Sequence, residues 1–81
     1  MTTQECYAKL TQIFHDVFDD DTIVVTPALT ANDVDAWDSL GHMRLILAVE
    51  SAFGMGFSAA EVKRLQNVGE FVALIQSKAA A

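Results

Sequence analysis

An all-α fold, a four-helix bundle with a short third helix and a long loop between helices 1 and 2, follows from three observations on this 81-residue chain. Apolar residues recur at helical spacing in four segments. A helix-capping residue stands before each of them. The one β-branched run, Thr22 to Thr26, has no second strand in the chain to pair with, and a lone strand leaves its backbone polar groups unsatisfied.

The first helix is predicted over about residues 3–18. Thr2 stands three residues before Glu5, a capping-box start, and Tyr7, Leu10, Ile13, Phe14, Val17 and Phe18 form its apolar stripe. Asp19, Asp20 and Asp21 end it, because acids at the negative end of a helix dipole are unfavourable. Residues 19–37 are expected to be a long loop. Pro27 blocks a helix there, and Ile23, Val25, Leu29 and Val34 are expected to dock on the helices. Asp38 or Ser39 caps the second helix, which carries Leu40, Met43, Leu45, Ile46, Leu47, Val49 and Phe53. Those positions exceed one stripe, which predicts a central, heavily buried helix. Gly54 and Gly56 end it. Ser58 and Glu61 form a capping box for a short third helix with Val62 and Leu65. Asn67 and Glu70 open the last, which carries Val68, Phe71, Val72, Leu74 and Ile75.

The length predicts a single domain, residues 1–81, with one modest core and no deep enclosed active site. The formal net charge is −6, which disfavours nucleic acid and anionic membranes as partners. The charge is uneven. Residues 1–38 carry eight acids against Lys9 alone, whereas residues 39–81 carry three acids against four bases. The single cysteine, Cys6, excludes an internal disulfide and fits a reducing compartment. The N-terminus lacks the pattern of a secretory signal, and no apolar run approaches a membrane span. A soluble cytoplasmic monomer is the expectation.

Few residue groupings offer chemistry. Cys6 with His15 or His42 would need an orienting group and a pocket to act as a nucleophile, and a small apolar role for Cys6 is the simpler reading. The acids at 19–21 and at 33 and 35 fail the spacing of a calcium loop, because Val24 or Asp38 stands where glycine is required. Solvated charge is what remains, and no metal site is expected. The salient feature is Asp38-Ser39-Leu40 at the loop-to-helix junction. By itself it reads as ordinary N-capping.

Its setting is more specific. The serine follows a long loop, opens the most apolar helix and lies near the middle of an acidic helical chain. Together with the rhythm of Met43, Leu45, Ile46 and Val49, with Glu50 and Phe53-Gly54, with the run from Phe57 to Val62 and with the run from Asn67 to Phe71, it resembles the acyl carrier protein family over essentially the whole chain. The resemblance implies a non-catalytic carrier. Ser39 would be the attachment point of 4′-phosphopantetheine, transferred from coenzyme A by a phosphopantetheinyl transferase with Mg²⁺. The arm's thiol would carry acyl intermediates as thioesters between acyl-loading and acyl-processing enzymes. Asp38 would help position the transferase besides capping the helix. Leu40 would contact partners or pack at the helix start. Met43, Ile46, Leu47 and Val62 would line an apolar space for a tethered chain, or serve the core.

Several residues depart from the family pattern. Ala36 replaces a frequent glycine. Trp37 stands at N′, where it would staple the loop to the helix or meet a partner. Gly41 lies inside a helix at a cost of up to about 1 kcal/mol, for which clearance for the arm or a partner is one account. Arg44, Ser51 and Ala52 replace acids common in carriers of fatty-acid synthesis. The run Trp37-Asp-Ser-Leu-Gly-His42 looks more like stand-alone carriers of specialised pathways. An aminoacyl or peptidyl carrier, or an unmodified helical adaptor binding through Trp37 and the acidic loop, are the alternatives.

Overall fold

The computed structural model describes residues 2–80, the last of them by its backbone alone. Its elements are α1 (Thr3–Phe18), a 3-10 turn (Ala31–Asp33), α2 (Ser39–Phe53), α3 (Ala59–Arg64) and α4 (Val68–Ala80). The all-helical expectation holds, and no strand occurs among the described residues. None of these helices is long and apolar enough to cross a membrane.

The helix starts follow their capping chemistry. Thr2 Oγ1 accepts from the Glu5 N–H at 3.1 Å while Glu5 Oε1 accepts from the Thr2 N–H at 3.1 Å. Ser58 and Glu61 repeat that exchange at 3.1 and 2.8 Å. Asn67 Oδ1 accepts from the Glu70 N–H at 2.8 Å, but Glu70 reaches back to the Gln66 N–H rather than to Asn67. The first N–H groups of α4 are covered by the long loop: Val68 donates to the Leu29 carbonyl at 3.0 Å and Gly69 to that of Pro27 at 2.9 Å. These bonds satisfy donors that a helix start otherwise leaves open. They also pin the loop across the bundle.

α1 ends where the three aspartates begin. Asp19 takes the left-handed conformation (φ 51°) and its N–H bonds back to the His15 carbonyl. Asp20 Oδ1 accepts from both the N–H and the hydroxyl of Thr22, which holds its carboxyl below the ordinary range. α2 ends at Gly54, whose φ of 65° suits a residue without Cβ.

α1 packs against both α2 and α4. The core gathers Leu10, Phe14, Leu45, Val49, Phe71 and Ile75 from these helices, all 1% exposed or less. Each such side chain contributes roughly 1.5–3 kcal/mol of burial. Ile23, Val34 and Trp37 dock on this core from the loop, and Val25 and Leu29 pack beside them. Residues 19–37 are not wholly irregular, because the 3-10 turn interrupts them. Asp33 Oδ2 accepts from the Thr30 N–H at 3.0 Å there, and the Asp33 and Val34 N–H groups bond back to the carbonyls of Thr30 and Ala31. α3 contributes no buried residue. A Glu61–Lys78 ion pair of 3.0 Å ties it to α4.

The expected heavy burial of α2 is corrected. Gly41, Leu45, Ile46 and Val49 face inward, while Leu40, Met43 and Leu47 are 69%, 55% and 61% exposed. Among the described elements α1 alone covers α2 across a broad face, so the second stripe stays outside.

Candidate functional site

Ser39 is the first residue of α2 and is exposed. Asp38 is the N-cap, in extended conformation, and its Oδ1 accepts from the Gly41 N–H at 2.8 Å. Its own carbonyl accepts from the His42 N–H at 2.8 Å. The Ser39 and Leu40 N–H groups have no partner within the helix by virtue of their position. An anion on the Ser39 oxygen would therefore meet the positive end of the α2 dipole and open donors.

Trp37 fixes the approach to this serine. It is 8% exposed, meets Phe14 edge-on at 5.2 Å and lies 6.2 Å from Phe18. Its Nε1–H donates to His42 Nδ1 at 3.0 Å, with the two ring planes 18° apart and their centroids 6.1 Å apart. With Asp38 as N-cap, Trp37 and His42 stand at N′ and N4, the positions of the hydrophobic staple. Burial pushes the His42 pKa down, and an interaction with the Val62 backbone opposes that in part.

Gly41 explains the close seat of the loop. A Cβ there would collide with the Ala36 carbonyl oxygen and lie 3.0 Å from Phe18 Cε1. Clearance for an arm or a partner is therefore not the reason for this glycine. The loop's own backbone fills the space.

Two clefts lie between α2 and α3, and the first of them borders the serine. The first, about 480 Å³, has walls from Trp37, Ser39, His42 and Leu65. The second, about 340 Å³, is bounded by Met43, Ile46, Leu47 and Phe57. Val62 and Lys63 border both, and the second cleft lies further along α2, lined mainly by apolar side chains. Glu50 also borders the second cleft. Its Oε2 accepts from the Phe57 N–H at 2.8 Å and holds the α2–α3 turn in place.

On the other side of α2, Leu40 and Arg44 border a third cleft with Val17, Phe18 and Asp19. The high exposure of Leu40 removes it from the core. Cys6 is fully buried, and burial pushes its thiol pKa up, the opposite of an activated nucleophile. Among the described residues no group of three or more histidine, cysteine or acidic side chains is placed to hold a metal ion.

Sequence reasoning missed the Trp37–His42 bond, the Glu50 clamp and the contact of Lys9 with the end of α2. Lys9 Nζ donates to the Ala52 carbonyl at 3.2 Å and sits 4.8 Å over the Phe53 ring.

The fold and site define a small helical protein that presents an exposed serine at a helix start, beside a cleft between α2 and α3. Comparison with known proteins identifies the family. No family model matches the chain. It is 33% identical over 78 residues to an acyl carrier protein of Lactobacillus johnsonii, covering 95% of this chain and 96% of that one. It is similar in structure to the holo acyl carrier protein of Geobacter metallireducens, solved by solution NMR. The TM-score is 0.87 at 47% identity, over 91% of this chain and 85% of that one. The chain belongs to the acyl carrier protein family.

Proposed function

We propose that Ser39 is the attachment point of 4′-phosphopantetheine and that the protein shuttles acyl groups between biosynthetic enzymes. The observation that carries this is an exposed serine at the first position of a helix, bordering one cleft and with an apolar cleft further along the same helix. Attached at the Ser39 oxygen as a phosphodiester, the arm supplies a thiol that holds acyl cargo as a thioester. The chain's own part is to bind and present. The α2 N-terminus steadies the phosphodiester anion. Asp38 and Trp37 hold the serine outward for a phosphopantetheinyl transferase. Met43, Ile46, Leu47, Phe57 and Val62 shelter apolar cargo from water. The protein is thus a substrate of other enzymes.

The apolar character of the second cleft favours acyl over aminoacyl cargo. Arg44 on α2, with Ser51 and Ala52 in place of acids, favours a specialised pathway over fatty-acid synthesis. The test is intact mass after incubation with coenzyme A, Mg²⁺ and a promiscuous transferase. A gain of one phosphopantetheine that vanishes in Ser39→Ala, with Ser51, Ser58 and Ser77 untouched, is the expected result. No gain on a folded protein would sink the proposal.

A further inference from the structure

Building on the acyl cargo proposed above, we infer that Phe57 sets the length of chain this carrier shelters. Its ring is a fixed wall between the apolar cleft along α2 and the buried core at Phe71.

That cleft, of about 340 Å³, has a near and a far end relative to Ser39. Met43 and Glu50 both border it. At a helical rise of about 1.5 Å per residue, Met43 stands about 6 Å along α2 from Ser39 and Glu50 about 10 Å further. Val62 and Lys63 border the cleft beside Ser39 as well, which places them at the near end. The Phe57 N–H donates to Glu50 Oε2 at 2.8 Å, which places Phe57 at the far end. A chain tethered at Ser39 and lying along α2 therefore meets Met43 first and Phe57 last.

Three contacts hold the wall in place. Glu50 engages the Phe57 backbone. The ring meets Phe71 edge-on with centroids 5.7 Å apart. Lys78 Nζ lies 5.7 Å from the centroid of the Phe57 ring and is itself paired with Glu61 at 3.0 Å. Phe57 is half-buried as a result.

What lies behind the ring decides its effect. Phe71 is 1% exposed and touches Phe57 without bordering the cleft. No described α4 residue borders it, so the Phe57 ring stands between the cleft and α4. A chain end that reaches this ring faces a close-packed interior with few voids. Met43, Leu47 and Ala59 are exposed and leave the outer side of the cleft open. Carbons beyond the reach of the cleft therefore stay in water.

The test loads saturated chains from butyryl to palmitoyl and follows the midpoint of thermal unfolding. The chains come from the acyl-coenzyme A series with Mg²⁺ and a promiscuous transferase. Each carbon that enters the cleft should raise the midpoint by up to about 3–6 °C. The rise should stop at the length whose end meets Phe57. Phe57→Leu should move that stop to longer chains, and Phe57→Ala further still; if the alanine variant does not fold, the leucine variant carries the comparison. Phe53→Leu removes a half-buried ring outside the cleft, so it should lower all midpoints alike and leave the stop unmoved. A stop unmoved by the Phe57 variants, or no rise with length at all, overturns the wall. A second series needs no transferase. In Ser39→Cys the introduced thiol is the accessible one, because Cys6 is fully buried, and straight-chain alkyl methanethiosulfonates attach to it as mixed disulphides. The same Phe57-dependent stop is expected there. That stop without loading of the parent protein overturns attachment at Ser39 and keeps the wall. Loading with an unmoved stop does the reverse.

Discussion

Replacing Gly41 with alanine tests how the loop is seated on α2. Helix propensity alone favours alanine by about 0.8–1 kcal/mol at an interior position. The structure predicts the opposite sign. The new Cβ would collide with the Ala36 carbonyl oxygen, a backbone atom that cannot rotate away, and would press on Phe18 at 3.0 Å. If the loop holds, overpacking costs roughly 1–3 kcal/mol. If the loop yields, Ala36 pulls Trp37 from its contacts with Phe14 and His42 and Asp38 from its cap, and a cap is worth about 1 kcal/mol. After the propensity gain is set against either outcome, Gly41→Ala should lose up to about 2 kcal/mol instead of gaining stability. The midpoint of thermal unfolding should fall by about 4–8 °C for each of these. Gly56→Ala is the matched comparison, since a Cβ there meets only Glu50 Oε2 at 3.8 Å and φ is not positive. That change should be neutral or stabilise by up to about 1 kcal/mol through the unfolded chain. Urea denaturation of both variants checks the pair. A Gly41→Ala protein more stable than the parent by the full propensity gain would refute the packing of Ala36 against α2.

Further outcomes follow from single contacts. Glu50→Ala leaves the half-buried Phe57 N–H without its partner and should cost about 1–3 kcal/mol in urea denaturation; an unchanged midpoint would remove the clamp. Leu47→Gln, at a position 61% exposed, should change stability by less than about 0.5 kcal/mol, whereas Leu45→Ala in the core should lose about 2–5 kcal/mol. Folded His42 binds its proton less readily than the unfolded chain does. Its share of stability is therefore complete above the ordinary histidine value and is lost as pH falls through the lower folded value; urea midpoints in the parent should show this slope and those of His42→Gln should not. Arg44→Glu should improve use of the loaded carrier by enzymes of fatty-acid synthesis, and identical kinetics at low salt, where charge effects are largest, would count against a docking role for Arg44.

Helix boundaries were legible because capping is local chemistry. Thr2 with Glu5 and Ser58 with Glu61 each announce a helix start within four residues, and the structure contains both exchanges. The docking of Ile23, Val25, Leu29 and Val34 followed from their apolar character. What escaped depends on which distant atoms meet. Gly41 shows only as a helix defect until the Ala36 carbonyl is seen against it. Glu50 reads as a surface acid until the α2–α3 turn brings the Phe57 N–H to it. The covering of α4 by the Pro27 and Leu29 carbonyls has no sequence signal, because every residue carries a carbonyl. Burial of α2 was overestimated for a related reason: periodicity reports which faces are apolar, and only packing shows that α1 covers one of them. Trp37 was legible as a staple, but its hydrogen bond to His42 required the relative orientation of two rings.

Cys6 gives the carrier a chemical privacy that its composition does not reveal. An acyl thioester is open to attack by any thiolate within reach, and exchange between sulphurs needs only a deprotonated, accessible partner. The chain holds one cysteine. It lies fully inside the core with its proton held more tightly than that of a free thiol. Cargo on the arm therefore meets no accessible thiol on this chain to migrate to.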